Sequence, residues 1–150
     1  MLDCPPMTAN DEAAELTEFN ELVRSTPLHA HMGLKCLEYG PHTVVTMELT
    51  DSVRGFAPGS VHGGMLATLA DAASAWTLWG AFESGAEIPV TTDLHIRYYR
   101  QPMAGPLTAE ANLVHRGRRL VSCDVPSPMP RTESSPAPRL RTCLFPRASD

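Results

Sequence analysis

A His62-Gly63-Gly64 turn opens a run of apolar and small residues in which Asp71 is the only charged side chain from Gly63 to Phe82. An ionised carboxylate inside an apolar element is costly unless it is paired or useful. The run is long enough for a helix, and at 1.5 Å rise per residue Asp71 stands roughly 12 Å along the axis from Gly63. That separation is too large for both to act on one carbonyl within a single chain, so a shared site needs two copies. The helix start offers unpaired backbone N–H groups and the positive end of the dipole, left open by glycine to an incoming ligand oxygen.

Downstream, Thr91-Thr92-Asp93-Leu94 is followed by Tyr98 and Pro102. Together with His62-Gly63-Gly64 and Asp71 nine residues after the histidine, this order resembles the hotdog-fold acyl-CoA thioesterases of the phenylacetate-degradation, or PaaI, type. The resemblance runs from about Pro27 to Val125. It implies an α+β hotdog domain, one long central helix wrapped by an antiparallel sheet, that hydrolyses a CoA thioester to free acid and CoA. It further implies that the N–H of Gly63 takes the thioester oxygen, that Asp71 of the other subunit is general base or nucleophile, and that Thr91 falls where some members position water. Gly64, Thr68 and Phe56 are expected beside the substrate. Arg116 and Arg118 mark a turn that in the family can lie near the nucleotide of coenzyme A, whose phosphates suit arginine pairs. Many members carry an asparagine six residues before the histidine, where this chain has Phe56. The substitution leaves an alternative open: a non-catalytic acyl-CoA binder or sensor.

The bulk properties agree with a small single domain. The chain has 150 residues, 43% hydrophobic, enough for one core. A net charge of −5 with scattered basic residues, all arginine except Lys35, forms no basic stripe, and a nucleic-acid partner is not expected. Cys4, Cys36, Cys123 and Cys143 show no Cys-x-x-Cys spacing, and no secretory signal precedes them. A reduced, cytoplasmic protein is expected. The Asp71 run lacks basic flanks and is rich in Ala, Gly, Thr and Ser, which argues against membrane insertion. His29, His31, Cys36 and His42 have no ligand spacing, so neither a metal nor another cofactor is expected beyond the CoA of the substrate. Self-association as dimer or tetramer is expected.

Periodicity divides the chain into an N-terminal helical segment, 1–26, a domain, 27–125, and an atypical tail, 126–150. Leu16, Phe19 and Val23 recur at helical spacing between about Asn10 and Ser25, with Glu12, Glu15, Glu18 and Glu21 facing out. Strands are expected over Leu34–Tyr39 and Thr43–Thr50, joined at Gly40-Pro41. The long helix is expected to end near Ser84-Gly85. Val90, Thr92, Leu94, Ile96 and Tyr98 form the more apolar face of the next strand and should lie on the helix. Strands follow over Leu107–Val114 and Arg119–Val125, around a tight turn at Gly117.

The tail holds 6 of the 14 prolines, four arginines and no alternation. No strand is expected there. A disordered tail and a reading-frame slip after about Val125 are both consistent with that composition. For individual residues the alternatives also stay open: His62 either orders the helix entrance or polarises the carbonyl, and Thr68, one turn before Asp71, is a candidate partner for its carboxylate. Trp76 and Trp79 read as core or interface residues.

Overall fold

In a computed structural model, residues 9–78, 87–117, 120–126 and 139–148 are described, with side chains at 12–78, 90–117 and 120–126. Helix α1, Ala9–Ser25, buries Phe19 and Val23 on the stripe expected of it. Helix α2, Pro27–Met32, starts on a proline whose fixed φ suits the first helical turn. It stops at Gly33, which at φ 62° takes the left-handed conformation that lets its own N–H and that of Leu34 close back on Ala30 and His29.

Strands β1, Lys35–Glu38, and β2, His42–Met47, form the expected hairpin. Val45 and Met47 are fully buried. The following loop contains a 3-10 turn, Asp51–Val53, and is pinched shut by the Arg54–Val61 bridge before helix α3, Gly63–Trp76. Strands β3, Glu87–His95, β4, Leu107–Arg116, β5, Val121–Pro126, and β6, Arg139–Ala148, complete one antiparallel sheet in the order β1-β2-β4-β5-β6-β3. The sheet holds α3 across its face. Leu107, Ala109 and Ala111 of β4 alternate inward, and the two alanines let the helix approach through Leu69, Ala70 and Ala73.

A buried amide joins α1 to the outer strand. Asn20 donates from Nδ2 to the Leu16 and Cys36 carbonyls, both at 2.9 Å, and accepts the Cys36 N–H at 2.8 Å. One side chain thus satisfies both backbone groups of Cys36 on the bare edge of β1.

Three expectations are corrected. Helix α3 ends at Trp76, not near Ser84-Gly85, a stretch that lies outside the described residues, as do Trp79 and Cys4. The last turn tightens as the N–H groups of Thr77 and Leu78 reach back three residues, to Ser74 and Ala75, while the Thr77 hydroxyl also donates to the Ser74 carbonyl at 2.7 Å.

In β3 the register shifts between Thr91 and Asp93. Strict alternation puts Thr91 and Ile96 on opposite faces, yet Thr91 meets the helix and Ile96 packs on the core, because the bulge switches the faces between them. Val90, expected on the helix, is exposed.

The tail also supplies a strand. Strand β6 pairs with β5 through Arg139–Leu144 and with β3 through Arg141–Ala148, so the segment expected to add nothing lies inside the sheet. The prolines explain both the misreading and its resolution. Residues 139–145 contain none, and Pro146 sits past the last β5 partner, where only β3 flanks the strand and a missing N–H on the other side costs no ladder bond.

Candidate active site

The start of α3 is built by His62. Its backbone is extended, at φ −64° and ψ 128°, and its Nδ1 accepts the Gly64 N–H at 3.0 Å as the helix N-cap. The imidazole therefore orders the entrance, and with Nδ1 an acceptor the neutral ring carries its proton on Nε2. Gly64 is required by the same contact: a Cβ there would lie 2.9 Å from Nδ1.

The carbonyl of His62 accepts two amides, Met65 at 2.9 Å and Leu66 at 3.3 Å. Double acceptance polarises the His62–Gly63 peptide, whose N–H belongs to Gly63. Among the described residues that N–H has no acceptor. The Gly63 carbonyl takes the Tyr98 hydroxyl at 2.7 Å, and the tyrosine ring lies 3.6 Å from where a Gly63 Cβ would stand. Burial raises the Tyr98 pKa, so its hydroxyl stays a donor. The two glycines thus have different reasons. At Gly64 a side chain collides with the cap, whereas at Gly63 there is ordinary room and the backbone donor is what stands free.

Two turns on, Asp71 is half-buried and its Oδ1 accepts the Thr91 hydroxyl at 2.6 Å. Thr68, the partner considered from sequence, instead donates back to the Gly64 carbonyl at 3.0 Å. Oδ2 of Asp71 has no partner among the described residues. Helix and strand run in opposite directions here, with Gly63 beside Tyr98 and Asp71 beside Thr91.

His29 of α2 stands near this carboxylate. Its ring meets Trp76 edge-on at 5.5 Å and its Nδ1 is enclosed without a hydrogen bond. Burial lowers its pKa, and the Val23 carbonyl and the negative charge of Asp71 push weakly the other way. The sequence offered no signal for His29 because its neighbours in space come from other elements.

The remaining expected residues are dispersed. Phe56 is fully exposed on the loop before the helix. Arg116 ends β4, opposite Val121, which pairs with Leu144, which in turn pairs with Thr91. The turn is thus level with Thr91 but three strands away, about 14 Å at ordinary strand spacing. Arg118 lies outside the described residues. Among the described residues no three of His, Cys, Asp and Glu converge as metal ligands, and no helix is long and apolar enough to cross a membrane.

A thioesterase superfamily family model matches residues 58–125, from the loop before His62 to the end of β5. The chain has the hotdog fold, and over that stretch it is similar to the thioesterase superfamily. No curated protein matches it in sequence. The hotdog chain superposes on a thioesterase from Haemophilus influenzae with a TM-score of 0.74 at 23% identity, over 99% of this chain and 96% of that one. It superposes on a mutant thioesterase from Staphylococcus aureus with a TM-score of 0.71 at 20% identity, over 81% and 99% of the two chains. A mutant of the phenylacetic acid degradation protein PaaI from Thermus thermophilus gives 0.63 at 24% identity, over 79% and 97%. These likenesses are of fold. The Haemophilus match spans nearly the whole hotdog chain, so its C-terminal strand belongs to the shared architecture.

Proposed function

We propose that the chain hydrolyses an acyl-CoA thioester at a site formed by two copies of itself. The observation that carries this reading is the pairing of a free, polarised Gly63 N–H with a carboxylate, Asp71, that Thr91 holds in place. The thioester oxygen rests on the Gly63 N–H, which stabilises the charge developing on it, an interaction that can supply about 3 kcal/mol. Asp71 of the second copy activates water through its free oxygen or attacks the carbonyl itself. The axial separation of about 12 Å supports the two-copy arrangement. So does strand β3, whose outer edge has no partner strand among the described residues and so can pair with a second copy.

His62 serves the site as its cap and Gly64 as the residue that makes the cap possible. No redox cofactor or metal is needed for the reaction so written. The buried thiols of Cys36 and Cys123 suit a reducing compartment such as the cytoplasm.

A mixing experiment tests the reading. Asp71→Asn and Gly63→Val subunits are each expected to be inactive and to regain activity when combined, because one of the hybrid sites has both halves intact. No recovery in verified hybrids refutes the shared site. A second reading, a non-catalytic acyl-CoA binder, is favoured by the exposed Phe56 ring in the loop where an amide is expected. It predicts CoA-ester binding without release of free CoA.

A further inference from the structure

Past the end of β3, the segment Arg97-Tyr98-Tyr99-Arg100 is anchored to the helix entrance at two points. Tyr98 donates to the Gly63 carbonyl at 2.7 Å, and three residues later Gln101 Oε1 accepts the Val61 N–H at 3.3 Å. These contacts fix the backbone of the segment beside the free Gly63 N–H. Its last ladder pairing is His95 with Arg141, and among the described residues none is formed from Ile96 onward.

The segment is locally cationic in an anionic chain. Between Asp93 and Glu110 there is no carboxylate, and the fixed charges are Arg97 and Arg100, in a protein of net charge −5. Arg97 spends its Nε on His95 Nε2, at 3.3 Å, and both terminal nitrogens of its guanidinium remain available. Arg100 has no partner among the described residues, and Tyr99 is 66% exposed. On the loop before the helix, Arg54 donates to the Gly59 carbonyl at 3.1 Å.

Two exposed arginines flanking an exposed aromatic ring, on a backbone pinned next to the oxyanion donor, fit the far end of the substrate better than its acyl end. The geometry points to Arg97 and Arg100 as the phosphate-binding residues for the nucleotide arm of the CoA ester, with Tyr99 a stacking surface for its adenine. This rests on the thioesterase reading above. A CoA ester carries a diphosphate and a separate ribose phosphate, which suit two separately placed guanidinia, and an aromatic face accepts a base without hydrogen-bond readout. Arg116, by contrast, ends a strand level with Thr91, which stands beside Asp71 two helical turns on from Gly63 of the same chain.

The test compares an acyl-CoA with the N-acetylcysteamine thioester of the same acyl group, which keeps the reacting bond and lacks the nucleotide. For Arg97→Ala/Arg100→Ala, kcat/KM on the CoA ester is expected to fall about 100-fold, tenfold per guanidinium, through KM. The rate on the short ester stays unchanged. An unchanged CoA rate, or an equal fall on both esters, overturns the assignment. If the unmodified protein hydrolyses neither ester, the thioesterase reading fails by itself. Calorimetric binding of CoA then decides the subsite: weaker binding by the variant upholds it, and equal or absent binding in both proteins overturns it. Should the alanine pair not fold, Arg97→Gln/Arg100→Gln takes its place with the same outcomes.

Discussion

The Thr91 hydroxyl of β3 donates to Asp71 Oδ1 of α3 at 2.6 Å, and it does so because the bulge between Thr91 and Asp93 turns that side chain toward the helix. One carboxylate oxygen is thereby fixed and the other left for chemistry. Thr91→Val removes the donor at nearly constant volume. It is expected to lower kcat by about 10- to 100-fold, roughly 1.4 to 2.7 kcal/mol of barrier, with the melting temperature little changed. Thr91→Ser should restore most of the rate, since the hydroxyl returns. Steady-state kinetics on a CoA ester check both.

Asp71→Asn keeps the shape and the contact with Thr91 but not the charge. Turnover should drop at least about 100-fold, some 2.7 kcal/mol, while CoA-ester binding persists. Retention of more than about a tenth of the wild-type kcat excludes Asp71 as base or nucleophile.

The cap at His62 predicts a ranking of stabilities. His62→Ala leaves the Gly64 N–H without its acceptor and should cost about 1 kcal/mol in urea unfolding, whereas His62→Asn, a strong N-cap, should cost a few tenths at most. Gly64→Ala should resemble His62→Ala, because its Cβ would stand 2.9 Å from the capping nitrogen and displace it. A full loss of activity in stable His62→Asn would instead assign the ring a direct chemical role.

The sheet and the helix were legible because burial enforces period: Val45 and Met47, Leu107, Ala109 and Ala111, and Val121, Cys123 and Val125 alternate cleanly inward. The Gly63 and Asp71 pair was legible for a similar reason, since a lone charge in an apolar run stands out. What stayed hidden depends on partners distant in sequence. The bulge that brings Thr91 to Asp71, the reach of Tyr98 to Gly63, and the clasp of Asn20 on Cys36 each join elements whose neighbourhood no local pattern encodes. Strand β6 was masked by prolines that harm a strand only where a neighbour needs their N–H.

His29 predicts a pH dependence of stability. Burial holds its folded-state pKa below the ordinary value of 6.5, so the unfolded chain takes up the proton first. The contribution is present above the unfolded pKa and is lost as pH falls from about 6.5 toward the lower folded value. His29→Gln should flatten the fall in unfolding free energy between pH 7.5 and pH 5.5 relative to wild type. Identical slopes for the two proteins refute this.

Asn20→Leu should cost about 2 to 3 kcal/mol, because Cys36 N–H and C=O lose their partner together. Folded protein should also leave Cys36 unmodified by iodoacetamide at pH 8. Burial pushes its thiol up to about 11, so little thiolate forms. Peptide mapping after denaturant titration checks both, since labelling of Cys36 should track global unfolding in wild type and begin earlier in Asn20→Leu.

Among the described residues strand β3 joins the sheet only through β6, which gives the site an order of assembly. During vectorial synthesis the helix, its capped entrance and the first four strands of the sheet can dock as soon as β5 is made. The strand bearing Thr91, although translated before β4 and β5, has nothing to pair with until residues 139–148 emerge. The carboxylate therefore waits for its positioning hydroxyl until late in translation, and a chain ended at Val125 and released should show a closed core and an unassembled site.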